Sequence, residues 1–321
     1  MESLAGKAAA QGNICHKAYE QLALAKLAKQ QGKKKFDAEE LGVFSVSGLD
    51  SDKFVVDALI RAFEYYKSIT PHVEFKNKDY EQCLDWMHKG LSYRNGLTDP
   101  RKHEIVCPEQ KFDLTIDKPW AKYDYTVGGE SFQGQLSIKG TIDLIFKRSD
   151  DIYEIIDLKT GQKRTHWGGP KDGQEKTHED LEKDKQLLLY YYAAKKVFPN
   201  VKQIILSIYY VNAGNMFSFP FDDETMIIAE EMIKKTYNDI VKITKPRLTK
   251  TWKCNRLCTF GKTPHSSMTI NPNTGDYYTI CEFMEKEVKD KGMTSVFNEH
   301  KESDAWLKYG DGGGRKAKTD S

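Results

Sequence analysis

The chain has 321 residues, 39% of them hydrophobic and 12% aromatic, which suffices for a buried core in one large domain or two small ones. Lys and Arg total 49 against 47 Asp and Glu, a net charge of +2, so any affinity for nucleic acid has to come from local patches. Residues 1–13 carry no apolar run of the signal-peptide kind and no stretch approaches membrane-spanning length; with six cysteines, that leads to the expectation of free thiols or a metal site in a reducing, cytoplasmic compartment.

In chain order, Ile14 to Gln30 has helical spacing without Pro or Gly, and Lys33-Lys34-Lys35 follows as a short basic loop. Ser51 to Ser68 reads as a second helix, capped by Ser51 or Asp50, and Asp79 to Leu91 as a third. The pattern then shortens: Glu104 to Ile116, Gly134 to Lys147 and Ile152 to Lys159 are strand-like runs separated by turns at 127–130 and 149–151, an antiparallel meander. Glu179 to Phe198 predicts one helix closed by Pro199. Gln203 to Val211 predicts a strand, turned by Asn212-Ala213-Gly214-Asn215 into Met216 to Phe219, and Asp222 to Thr244 predicts a last helix stopped by Pro246. Helices, three strands, a helix and two more strands make an α/β protein with a central mixed sheet. The division expected is a single domain over 1–301, with a helical N-terminal region over residues 1–100, a catalytic core over 101–245 and a cysteine-containing segment over 246–301. A flexible tail, 302–321, follows and includes Gly312-Gly313-Gly314.

Within the meander, Asp143 and then Asp157 and Lys159 stand among aliphatic residues, and charge buried in such a setting is costly unless it is paired or binds a metal. Residues two apart in a strand share a face, so Asp157 and Lys159 point together while Leu158 points away, and the turn at 149–151 brings Asp143 alongside. Two carboxylates near an ammonium suit Mg²⁺, which takes hard oxygen ligands. The ion would neutralise the charge of a phosphodiester and acidify a water, with Lys159 orienting that water or stabilising developing negative charge. An isolated Asp-x-Lys would be an ordinary salt bridge; further residues decide between the two.

Gly140-x-Ile142-Asp143, then Asp157-x-Lys159-Thr160-Gly161, then Gln186-x-x-x-Tyr190, resembles the PD-(D/E)xK nuclease superfamily, and within it the RecB-type exonuclease branch found also in CRISPR adaptation and phage recombination nucleases. The upstream Gly-x-x-x-His helix motif of that branch is matched by Gly12-Asn13-Ile14-Cys15-His16, so four motifs occur in the family's order over residues 12–190. Ile142 replaces the proline before Asp143, as is usual in this branch. The resemblance implies a restriction-endonuclease-like core in which His16, Asp143, Asp157 and the Leu158 carbonyl bind Mg²⁺ or Mn²⁺. It makes Lys159 the catalytic lysine, with Gln186 and Tyr190, one helical turn apart, facing the site. Glu109 stands where relatives often carry an acidic residue, though a surface carboxylate is the plainer reading; Glu20, one turn after His16, is similar.

The loop from Thr160 to His178 carries Lys163, Arg164 and Trp167, cations and an aromatic that suit single-stranded DNA, against the alternative of a solvated loop with Trp167 tucked onto the core. A second basic run spans Lys242 to Arg256. Many RecB-type relatives hold a [4Fe–4S] cluster on a C-terminal cysteine group; here the resemblance implies Cys254, Cys258 and Cys281, with Cys15 as a fourth ligand, whereas His265 would complete a Cys₃His site for Zn²⁺ instead. The expected function is a Mg²⁺-dependent DNA exonuclease of phage or mobile-element type, acting on single- or double-stranded ends beside a recombination or replication partner. No Walker phosphate loop is present, so the chain carries no helicase motor of its own. The rivals are a structure-specific or nicking endonuclease on the same core, and a catalytically silent DNA-binding or assembly protein.

Overall fold

The computed structural model describes residues 6–127, 129–161, 173–212, 214–243, 268–270, 277–279, 281–292 and 294–296. The chain divides into two compact units, Ala8–Thr244 and a second made of Met1–Lys7 with Lys245–Ser321.

The larger unit opens with α1 (Lys7–Gln30), seven residues earlier than the apolar spacing predicts, because the alanines of its first turns are good helix formers without marking a face. The hairpin β1 (Lys35–Ala38) and β2 (Gly42–Ser45) follows. Next come α2 (Asp52–Ile69), where the Ser51 hydroxyl accepts from the Phe54 amide, and α3 (Asn77–Ser92). These three helices bury Ile14, Leu22, Leu59, Cys83 and Met87 against one another and against Leu158 and Tyr209 of the central sheet.

That sheet has five strands in the order β3-β6-β7-β8-β9: β3 (Glu104–Thr115), β6 (Ser137–Ser149), β7 (Ile152–Lys159), β8 (Gln203–Tyr210) and β9 (Asn215–Phe221). All neighbours are antiparallel except β7 and β8, so the sheet is mixed, as its sequence pattern predicts. The parallel pair requires a crossover, and the helices between β7 and β8 supply it. Where one helix over Glu179–Phe198 was expected there are two, α4 (His178–Glu182) and α5 (Lys185–Val197). The break comes at Asp184, whose carboxylate accepts from the Gln186 amide and so starts a new helix within an apolar run. α6 (Asp223–Val241), capped by Asp222, closes the unit.

The predicted meander is interrupted between β3 and β6. Residues 122–135 form a separate hairpin, β4 (Lys122–Val127) and β5 (Glu130–Gln135), whose root is held by Ile116 donating to Leu136 and Leu136 to Ala121. In the smaller unit, β10 (Met268–Ile270) pairs antiparallel with β11 (Tyr277–Thr279), and α7 (Glu282–Lys291) begins after Cys281. Among the described residues no helix is long and apolar enough to cross a membrane.

Candidate active site

The site forms where two paired strands separate. β6 and β7 pair from Ser149 and Ile152, across a register shift between Ser149 and Lys147, down to Leu144 and Ile156, and there their pairing stops. Beyond that level β6 continues paired to β3 alone and β7 to β8 alone. Asp143 and Asp157 are the first residues past the last shared pair, so one carboxylate stands on each arm of the fork. Glu109 joins them from β3, since it lies between the Pro108–Leu144 and Gln110–Ile142 pairs and therefore opposite Asp143.

The alternation of β6 slips at this level. Ile142 and Ile145 both pack with α5, whereas Leu144 and Phe146 pack with Ala23 of α1. On the neighbouring strand Glu109 has φ +49, a left-handed conformation that a non-glycine residue adopts only under constraint. The two strands rotate together there, which turns Glu109 and Asp143 toward the α1 layer. A cleft results, lined by His16, Tyr19 and Glu20 of α1 with Glu109, Asp143, Leu144, Ile156 and Leu158 of the sheet. His16 Nδ1 is 3.2 Å from Asp143 Oδ2. α1 approaches closely because residue 12 is glycine: a Cβ there would sit 3.0 Å from Thr160 Oγ1, tighter than ordinary contact.

The other face of β7 holds the second half. Asp157 is 2% exposed, and its Oδ1 accepts from Lys159 Nζ at 3.0 Å. Its Oδ2 forms an ion pair with the same ammonium at 2.8 Å, and among the described residues it takes no directed hydrogen bond. Lys159 also donates to Gln186 Oε1 at 3.2 Å, and Gln186 Nε2 donates to Tyr190 Oη at 2.9 Å. Asp157 and Lys159 thus point together as the strand period predicts. Asp143, expected on their face, meets them through the fork instead, because β6 changes face at that residue.

The charges feel one another across the fork. Burial raises the carboxyl of Asp157 above its ordinary value, the Lys159 ammonium opposes this, and Asp143 adds to it. Glu109 is pushed up to about 7, first by burial and then by the like charges of Asp143 and Glu20. Burial also raises Glu20, against the pull of Lys17 at 3.0 Å. For His16 burial works against the charged ring, but the bond to Asp143 and the charges of Asp143 and Asp157 outweigh it, so the imidazole is raised. Burial, with Asp143 and Asp157 behind it, keeps the Tyr190 phenol protonated.

Glu20, Glu109 and Asp143 line one cleft with the His16 imidazole, and Asp157 stands across the fork on the other face of β7 beside Lys159; together they are a hard-donor set. The residues therefore fit a divalent ion. As they stand His16 is paired with Asp143, Glu20 with Lys17 and Asp157 with Lys159, and among the described residues no three His, Cys, Asp or Glu side chains are gathered tightly enough to hold one. Glu109 is the member that sequence reasoning underrated; the register that sets it opposite Asp143 is its signal, and register cannot be read before the strands are paired.

Lys163, Arg164, Trp167, Cys254, Cys258 and His265 lie outside the described residues. Cys281 is a half-buried free thiol at the start of α7. Cys15 is buried in the larger unit's core with its Sγ 3.8 Å from the Cys83 carbonyl; the bond to Cys83 and burial hold the thiol well above its ordinary value, so it is neutral.

The model of the PD-(D/E)XK nuclease superfamily matches residues 2–263 of the chain. Comparison with curated proteins gives no match. Among solved structures the chain is similar to SSO0001 at 17% identity, over 47% of this chain and 56% of that one, with a TM-score of 0.21. It therefore spans little more than half of SSO0001. A second is a Eubacterium rectale protein named by inference as an exonuclease, at 9% identity over 70% of this chain and 81% of that one, with a TM-score of 0.34.

Proposed function

The chain belongs to the PD-(D/E)XK nuclease superfamily, and we propose that within it this protein is a divalent-metal-dependent DNA exonuclease of the RecB-type branch. The observation that carries the reading is the fork, where Glu109 of β3, Asp143 of β6 and the α1 imidazole line one cleft while Asp157 and Lys159 of β7 reach the same level from the other face. The Gly12-x-x-x-His16 and Gln186-x-x-x-Tyr190 motifs favour the branch.

His16, Asp143, Asp157 and the Leu158 carbonyl are the groups that would hold Mg²⁺ or Mn²⁺, and Glu109 joins them by position. When bound, the ion supplies charge neutralisation at the scissile phosphate and acidifies a water. The chain's own residues do the rest. Asp157 holds the Lys159 ammonium at the fork, where the cation orients the attacking water and offsets negative charge developing on the phosphate. Gln186 fixes the direction of that ammonium, because Tyr190 Oη takes its NH₂ and leaves Oε1 for Lys159. Leu144, Ile156 and Leu158 give the cleft an apolar wall, which strengthens the contact between His16 and Asp143. The loop residues Lys163, Arg164 and Trp167 would contact the strand being cut. Cys254, Cys258 and Cys281 are proposed as a [4Fe–4S] or Zn²⁺ ligand set, and a phage or mobile-element role in recombination or replication fits a nuclease without its own motor.

The test is cleavage of end-labelled single- and double-stranded DNA with Mg²⁺, Mn²⁺ or EDTA, beside Lys159→Ala. Cleavage that stops in EDTA and in the variant is expected. Cleavage indifferent to both would overturn the reading, and digestion of closed circles would replace the exonuclease with an endonuclease on the same core.

A further inference from the structure

The strand that carries Asp157 and Lys159 ends at a clamp the mechanism above does not use. Asn212, in the turn after β8, donates from Nδ2 to the Thr160 carbonyl at 2.7 Å, and its Oδ1 accepts from Trp86 Nε1 of α3 at 2.6 Å. Beside it the Val211 amide donates to the Lys159 carbonyl at 3.0 Å. At the same residue, Gly12 brings α1 into close approach with Thr160 Oγ1.

We propose that Asn212, oriented by Trp86, is a positioning residue that fixes the end of β7 to the α1–α3 layer and so sets the spacing between Lys159 and His16 across the fork. This rests on the nuclease reading above. The chemistry leaves little choice of residue. An indole N–H can only donate, so the Asn212 oxygen must face Trp86 and its NH₂ must face the strand. A side chain at 212 therefore has to present an acceptor on one side and a donor on the other, at the length of an amide. The half-site on α1 and the half-site on β7 belong to different elements, and β6 no longer pairs with β7 at this level. With that ladder absent, the indole–amide–carbonyl relay is a direct link from β7 to the helical layer that carries His16. Misplacement of a reacting group by about 1 Å costs on the order of a hundredfold in rate, so loss of this link is read in turnover.

The experiment compares wild type with Asn212→Asp, which keeps the shape and the acceptor for Trp86 but sets an oxygen against the Thr160 carbonyl. Trp86→Phe, which removes the donor, and the double variant complete the cycle. Turnover on DNA and amide hydrogen exchange over residues 157–161 are measured for each. In Asn212→Asp, kcat falls about tenfold to a hundredfold with KM for DNA unchanged, and exchange over 157–161 quickens. The double variant is no worse than the more impaired single one, since both cut the same relay. Unchanged exchange over 157–161, or faster exchange with wild-type kcat, overturns the proposal. A loss of kcat that tracks only a lowered Tm does so too. Exchange reads the clamp even in a protein that cleaves nothing, so failure of the nuclease reading is seen separately, in the wild type.

Discussion

At the hairpin end of the central sheet, Arg148 and Glu154 are drawn into the protein and every contact is returned. Arg148 Nε donates to Glu154 Oε2 at 2.5 Å, its Nη1 to His103 Nδ1 at 2.8 Å and its Nη2 to the Leu97 carbonyl at 3.3 Å, and its guanidinium lies 4.9 Å from the centre of the Phe146 ring. Ser207 donates to the other Glu154 oxygen, and His103 Nε2 donates to the Gly96 carbonyl at 2.9 Å. At the fork end of the same strands the carboxylates outnumber their partners among the described residues: Asp157 shares the Lys159 ammonium with Gln186, and Glu109 is pushed up to about 7. Two clusters of buried charge, a few residues apart on β6 and β7, thus differ in whether the protein satisfies them. A satisfied cluster fixes structure, whereas an unsatisfied one stores an affinity for something else.

Substitutions can break this contrast. Asp157→Asn should lower cleavage about 10³-fold, roughly 4 kcal/mol of transition-state stabilisation. It should also raise the unfolding midpoint measured in EDTA, because a buried and poorly compensated carboxylate is gone. A lowered midpoint would make Asp157 just another ion-pair partner. Arg148→Met should do the reverse, costing about 3 kcal/mol by leaving Glu154 buried without its cation. Turnover measured well below the melting temperature should be untouched, and denaturant unfolding beside a cleavage assay separates the two effects.

The smallest effect is one of pH. Burial holds the His103 imidazole below its ordinary value, and Arg148 donating to Nδ1 adds to this. A proton that the unfolded chain takes up near pH 6.5 is then refused by the folded one. Stability from this node is therefore complete above about pH 6.5 and declines as the pH falls from there toward the lowered folded value. Thermal unfolding of wild type should lose more between about pH 7.5 and about pH 5.5 than His103→Gln does. Equal losses would remove His103 from the account.

How much of this was written in the sequence differs by element. β7 runs from Ile152 to Lys159 as its apolar pattern predicts, and Ser51 caps α2, because strand period and capping chemistry are local properties. The pairing of Asp157 with Lys159 followed from the same period. Glu109 and the true setting of Asp143 were not legible. A left-handed glutamate inside a strand carries no mark in a chain where glycine is the usual sign, and the change of face at residue 143 depends on which helices cover which side. The Asp184 break in the expected helix was hidden by apolar residues after it, and the hairpin over 122–135 by having no buried face to impose alternation.

That hairpin has a practical consequence. Thr115 and Ser137 are already a ladder pair, so the chain leaves the sheet and rejoins it at adjacent positions. Its anchoring residues, Ile116, Ala121 and Leu136, lie outside β4 and β5, while Tyr125 and Phe132 stack on each other in the open. The arm outward from Lys122 is thus a cassette: a short turn, a fluorophore-bearing loop or a whole foreign module could be spliced in there, and the strands leading to Glu109 and Asp143 would keep their alignment.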